Sequence, residues 1–375
     1  MPDPRITRLA RLLVDYSTRI GPGDKVLIEA EPVAEPMVRA VFERVLEVGG
    51  HPHLLLSLGG FASLSGIDDL FLSKAGQAQL DLAPTFYHLA YNEFASRIRI
   101  GSSSNTKALT GADQARSVRR QRAIHPILAA QLQRGARGEF RWMSTLFPTS
   151  AYAQDAEMSL EEYQRFFYGA CHVADDDGDP VAYWNSVQAE QARIVEALEG
   201  HDKVHLRGPN CDLRLSIKGR KFLNACGEHN MPDGEVYTGP VEESVEGWVR
   251  FTYPAVYQGR EVAGVQLKFA AGQVSEATAE KNQAYLEEML GSDAGARYLG
   301  EFAIGTNFGI QRFTRNILLD EKIGGSFHLA LGSGYPETGS KNVSAIHWDF
   351  ICDLHGEAEI AVDGEVIYKD GAFCI

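Results

Sequence analysis

Cysteine is scarce: five in 375 residues (Cys171, Cys211, Cys226, Cys352 and Cys374), odd in number, widely spaced and without a Cys-x-x-Cys pair. That argues against a disulfide-stapled fold and against zinc-ribbon or dithiol redox motifs, and it points to reduced thiols in a cytoplasmic protein. Positive charge is short as well. Lys and Arg number 36 against 50 Asp and Glu, a net charge of −14, which argues against nucleic acid or an anionic membrane as partner. No apolar run approaches the roughly 20 residues that span a bilayer. The opening MPDPRITRLARLL lacks the basic stretch and long apolar core of a secretory signal. A phosphate cradle is also missing. The turn after the strand-like KVLIEA reads Glu31-Pro32-Val33-Ala34, and no G-x-x-x-x-G-K-[ST] occurs, so dinucleotide or nucleotide binding is not expected.

What remains is an ordinary globular composition, 44% hydrophobic and 23% charged, in a chain long enough for two domains. Residues 6–18 and 36–48 carry apolar side chains at helical spacing, and KVLIEA and HLLLSL read as strands on either side of the second helix. Strand, helix, strand implies a parallel sheet, extended by SRIRIG near residue 100. Residues 112–132 read as a helix whose arginines form a solvated face. RWMSTLF reads as a strand, Ser159-x-x-Glu162 as a capping box, and Asp179-Pro180 as a helix start. After Gly200 short alternating strands dominate, and Asp363-Gly364 between EIAV and EVIYKD signals a hairpin. The expectation is α/β: an N-terminal βαβ parallel-sheet domain over residues 1–110, and a larger α+β domain rich in antiparallel strands over 111–375.

Chemistry concentrates in residues 326–353, SFHLALGSGYPETGSKNVSAIHWDFICD. His347 and Asp349, at i and i+2 of a strand, project from one face. His328 on a neighbouring strand would complete a divalent-metal half-site, although a lone histidine in an apolar strand is more often a satisfied core residue. Glu301 sits inside the apolar LGEFAIG, and Glu235 starts a strand after a turn. A buried unpaired carboxylate is costly, so each needs a partner or a cation. Glu321, seven residues before His328, by itself would pass as a surface charge. The inventory is too rich for one tetrahedral zinc and suits a pair of divalent ions.

The segments NMPDGEVYTGPVEESVEGWVRF, RYLGEFAIG, FHLALGSGYP and SAIHWDFICD resemble, in order and spacing, the thermophilic metallo-aminopeptidase family (aminopeptidase T-like). RWMSTLFPTSAYAQDAEMSLEEYQRFFYGA and the N-terminal βαβ region resemble it too, so the likeness spans essentially the whole chain. It implies two divalent ions, zinc or cobalt with manganese a further candidate, held by Glu235, Glu301, His328, His347 and Asp349, with Glu301 bridging. It also implies Tyr335 as the active-site tyrosine, a peptide substrate with a free N-terminus, and a homodimer. Glu321 falls where the family has an acidic residue near the metals, but the following KIGGSF departs from the family's shorter Asn-containing run. Tyr335 would hydrogen-bond the oxyanion, and Glu301 or Glu321 would carry the proton to the leaving amine. The fold also resembles 2,5-dihydroxypyridine dioxygenase, in which His328, His347 and Asp349 would hold a single ferrous ion. The presence of both Glu235 and Glu301 favours the two-metal peptidase, over that enzyme and over a catalytically dead homologue.

Overall fold

An amphipathic helix between two short apolar strands dictates the start of the fold. In the computed structural model, which describes residues 3–59, 63–257 and 259–375, helix Glu35–Glu47 buries Met37, Val38, Val41 and Val45. It carries the chain from Lys25–Ala30 to the parallel strand His51–Leu56. Ser96–Gly101 and Arg141–Leu146 continue the parallel sheet on the other side of Lys25–Ala30, and the short Asn230–Met231 closes it.

The chain forms two compact units, one of Met1–Tyr183 with Gly227–Pro232, the other of Trp184–Cys226 with Asp233–Ile375. The boundary expected at residue 110 is therefore displaced. Two parallel neighbours need a crossover of a dozen or more residues. The helix Gln114–Ala136 lies in the crossover between Ser96–Gly101 and Arg141–Leu146, which keeps these residues in the first unit. One of its arginines departs from the expected solvated face, while Arg122 is exposed as expected. Arg120 is buried, donating to the Leu82 carbonyl at 2.6 Å with its guanidinium 4.7 Å from the centre of the Phe71 ring. Among the described residues no helix is long and apolar enough to cross a membrane.

The second unit is built on antiparallel sheet, as its alternating sequence dictates. One sheet has eight strands and includes the hairpin Glu359–Val362 and Glu365–Lys369. There Asp363 (φ +49°) and Gly364 (φ +94°) make the turn. A small sheet pairs Ala255–Tyr257 with Arg260–Val262, and a second large sheet has five strands among the described residues, in the order Leu223–Ala225, Glu235–Thr238, Leu299–Gly305, Ser326–Gly332, His347–Asp353, each antiparallel to its neighbour.

In this five-stranded sheet period-two alternation sorts the side chains into two populations. One face presents Val236, Phe302, Ile304, Phe327, Leu329, Leu331, Trp348, Phe350 and Cys352, all buried in the unit's main apolar core. The other presents Glu235, Tyr237, Glu301, His328, His347 and Asp349. Small residues stand between them: Ala330 is paired with both Glu301 and Asp349, Ala303 with both His328 and Tyr237, Gly305 with Glu235, and Gly332 with His347, while Ile351 flanks His328 at the sheet edge. The core face anchors the sheet, and the small residues leave room above it. Leu329→Ala should cost about 2–5 kcal/mol in equilibrium urea denaturation; a loss under about 1 kcal/mol would show that this face is not closed packing.

Candidate metal centre

Glu301 owes its orientation to a fault in the strand. Leu299 is paired with Leu331 and Glu301 with Ala330, so the register shifts by one across Gly300. Without the bulge, Leu299 and Glu301 at i and i+2 would share a face. With it, Leu299 stays in the core and Glu301 turns to the opposite side. Gly300 is fixed by a close approach as well: a Cβ there would lie 2.3 Å from the Ser333 carbonyl oxygen.

Glu301, only 4% exposed, stands between two histidines. Its Oε1 is 3.6 Å from His328 Nε2 and its Oε2 is 3.2 Å from His347 Nε2. On the far side of His328, Glu235 Oε2 lies 3.5 Å from the same Nε2; beyond His347, Asp349 Oδ1 lies 3.5 Å from its Nε2. Three overlapping donor groups result: Glu235, Glu301 and His328; Glu301, His347 and Asp349; and Glu321, His328 and Asp349. In each, the donor atoms lie within 4.8 Å of one another. Atoms about 2.1 Å from one tetrahedral ion stand about 3.4 Å apart, close to the separations observed. Two of these buried atoms, Glu235 Oε2 and Asp349 Oδ1, have no hydrogen-bond partner, and neither has Nδ1, the other ring nitrogen of His328. Orphaned polar atoms in dry surroundings are costly, and a donor set of carboxylates and imidazoles fits divalent cations.

The imidazole of His347 is aimed from behind. Its Nδ1–H donates to the Ser333 carbonyl at 2.7 Å, which turns Nε2 toward Glu301 and Asp349, where it donates while protonated and would offer its lone pair to a cation. Ser333 belongs to the same turn as Tyr335. The Tyr335 ring meets the rings of His347 and Tyr237 edge-on, both at 5.3 Å between centres, and the residue is 39% exposed.

Charge sets the proton positions. Burial works against ionisation of Glu301, but hydrogen bonds and attraction from His328 and His347 overcome it and hold the carboxyl at about 2. Burial would lower His328, yet Glu301 and Glu235 raise it to about 9. His347 is likewise raised, its burial outweighed by Asp349 and Glu301. Glu235 goes the other way from Glu301: burial pushes it up to about 8 despite Lys322 and His328. Burial also raises Glu321.

All six residues singled out as ligands thus gather on or beside one sheet face. Glu321, which by itself would pass as a surface charge, caps the short helix Ile317–Asp320 and pairs with Lys322. Three neighbours escaped the sequence reading: Asp233, Tyr237 and Lys322. Lys322 has no exposed side-chain surface, and its ammonium lies 3.5 Å from Glu235 Oε1 and 3.8 Å from Asp233 Oδ1. Tyr237 was legible as the i+2 neighbour of Glu235. Lys322 was not, because a lysine after Asp-Glu normally marks a solvated turn.

Comparison with known proteins bears on this geometry. A family model described as thermophilic metalloprotease (M29) matches residues 3–373. Aminopeptidase T of Thermus thermophilus is 28% identical, with 98% of this chain and 95% of the relative covered. A solved structure of wild-type AmpT from Thermus thermophilus superposes with a TM-score of 0.84 at 23% identity over 99% of each chain. The 2,5-dihydroxypyridine dioxygenase of Pseudomonas putida KT2440 reaches 0.56 at 12% identity, covering 98% of this chain and 96% of its own; it shares the fold.

The upward shifts of His328 and Glu235 have a measurable consequence. Their unperturbed values are 6.5 and 4.5, so the folded chain binds more protons than the unfolded one above those values. The stability they contribute is full at low pH and is lost as pH rises through about 8 to 9. The melting temperature of chelator-treated protein should fall between pH 6.5 and about 9. Added divalent cation, which takes the protons' place, should raise it most at the upper end. A chelated protein whose melting temperature is flat or rises over that window would contradict this account.

Proposed function

The chain belongs to the thermophilic metalloprotease (M29) family and is a hydrolase; from that membership we propose that it is an aminopeptidase, releasing the N-terminal residue of peptides at a centre of two divalent cations. One observation carries the proposal: Glu301 stands between His328 and His347 with one carboxylate oxygen turned to each. A carboxylate so placed joins two donor groups, one completed by Glu235 and the other by Asp349. The named relative, an aminopeptidase aligned along nearly its whole length, supports the same activity. Imidazole and carboxylate donors suit zinc or cobalt. A homodimer and a cytoplasmic location complete the proposal, the first resting on the family resemblance and the second on five free cysteines, four of them buried.

When bound, the cations supply an acidified water and a polarised carbonyl at neutral pH. The chain's own residues divide the rest. Glu301, held ionised by its two histidines, serves as a ligand rather than a proton carrier. Glu321, raised by burial, keeps its proton closer to neutrality and hands it to the leaving amine. Tyr335 is fixed by its edge contacts to His347 and Tyr237 and exposed enough to meet substrate. Its hydroxyl donates to the oxyanion that develops on the scissile carbonyl. A mononuclear ferrous centre on His328, His347 and Asp349 would leave the orphaned Glu235 Oε2 without a partner.

Metal analysis by mass spectrometry, run beside hydrolysis of leucine-p-nitroanilide, tests the proposal. Two ions per chain are expected, with activity abolished by chelator and restored by zinc, cobalt or manganese. One iron per chain, no peptidase activity and oxygen uptake with a dihydroxypyridine would replace the proposal with the dioxygenase. Tyr335→Phe should keep both ions and lose roughly 10²-fold or more in kcat; unchanged turnover would remove Tyr335 from the mechanism.

A further inference from the structure

Lys322 has no place in the chemistry just described, yet nothing on this sheet face is more deeply enclosed. Its side chain is completely buried and faces three carboxylates: Glu321, Glu235 Oε1 at 3.5 Å and Asp233 Oδ1 at 3.8 Å. Its backbone is held as firmly. Lys322 N–H donates to the Leu319 carbonyl at 3.1 Å, and its own carbonyl accepts from Asn307 N–H at 3.1 Å. The Asn307 side chain donates to the Asp233 carbonyl at 2.8 Å, tying the two segments together. The following residue presses against the sheet, where a Cβ on Gly305 would lie 2.2 Å from the Ile323 carbonyl oxygen.

A buried ammonium on a flexible four-carbon stem needs such enclosure to act as a fixed charge. Five carboxylates crowd this face: Asp233, Glu235, Glu301, Glu321 and Asp349. Lys322 is their one permanent cation among these contacts. With every one of the five ionised, it would offset a single negative charge and leave the rest for bound cations or protons to balance.

The contacts also divide Glu235 in two. Oε1 is taken by the ammonium, while Oε2 has no hydrogen-bond partner and lies 3.5 Å from His328 Nε2. The contact turns Oε1 toward the ammonium and leaves Oε2 as the oxygen facing His328. We propose that Lys322 is a positioning residue that fixes Glu235 as a one-oxygen ligand and so sets the affinity of the cation held by Glu235, Glu301 and His328. The second cation, on Glu301, His347 and Asp349, does not depend on it. The proposal rests on the two-cation function above and adds to it which ligand is oriented, by what, and for which ion.

The test is titration of chelator-stripped, full-length protein with Co²⁺ alone, followed by calorimetry and by the visible absorption of bound cobalt. Wild-type protein should show two binding steps. Lys322→Met, similar in length but uncharged, should leave one step unchanged and weaken the other by about 10–100-fold, the usual effect of losing a group that orients a metal ligand. Lys322→Arg should recover part of the loss. Two steps at wild-type affinity in K322M, or a tighter one, would overturn the proposal, even if the variant melts at a lower temperature; a purely structural lysine would give that pattern. Wild-type protein taking up a single ion would sink the two-cation function instead; a weakened step in K322M would then still support Lys322, and an unchanged one would overturn its role as well, since no bound cation would depend on it. Should K322M not fold by circular dichroism, Asp233→Asn removes one of the lysine's anchors and leaves every ligand in place. It should weaken the same step several-fold, and an unchanged affinity in D233N would count against Lys322.

Discussion

Like charges crowded into a dry space repel, and that repulsion is the constraint around which this chain's second unit is arranged. Glu235, Glu301, Glu321, Asp349 and Asp233 come within a few ångströms of one another or of shared partners. Removing a carboxylate from water without compensation costs several kcal/mol. The compensation present in the chain itself is partial: two imidazoles, which hold protons above their usual range, and one lysine. Proton positions, ligand orientation and the demand for external cations all follow from that imbalance.

Why the sheet tolerates the crowding is a matter of its other face. Phe302, Leu329, Leu331, Trp348 and Phe350 lie in a continuous apolar core. The hydrophobic stabilisation of burying them, roughly 25 cal/mol per Å² of apolar surface, is independent of what the opposite face carries. Strand alternation lets the same seven-residue segments serve both purposes. The small residues set between the candidate ligands are as much a part of the site as those ligands, since a larger side chain at Ala330 or Ala303 would fill the space between the carboxylates and imidazoles.

Much of this was legible in the sequence. His347-x-Asp349 and His328 announce themselves because each is a polar residue at alternate positions of an otherwise apolar strand, and Glu301 stands out for the same reason. The parallel start and antiparallel finish of the fold followed from apolar periodicity. Other features depend on contacts that no local pattern encodes. The domain boundary was misplaced because Arg141–Leu146 is a strand whose partner lies forty residues earlier, beyond a long helix. Arg120 reads as a solvated charge because helical periodicity does not show that a carbonyl and an aromatic ring wait above it. Lys322 was missed for a similar reason: its burial comes from a turn folding down onto Gly305, and its partners Asp233 and Glu235 lie almost ninety residues away.

The hydrogen bond from His347 to the Ser333 carbonyl couples two parts of the molecule that a list of functional residues would treat as separate. Tyr335 rides on that same turn, two residues on, with its ring against the imidazole that Ser333 orients. The turn is therefore a stiff lever. Displacing it would drag the His347 imidazole out of line, and pulling the imidazole back draws the phenol with it. A protein wired this way cannot swing its tyrosine aside like a gate and leave His347 where it stands. The two rings move as one, and variation in what this face admits is left to the residues around that fixed pair.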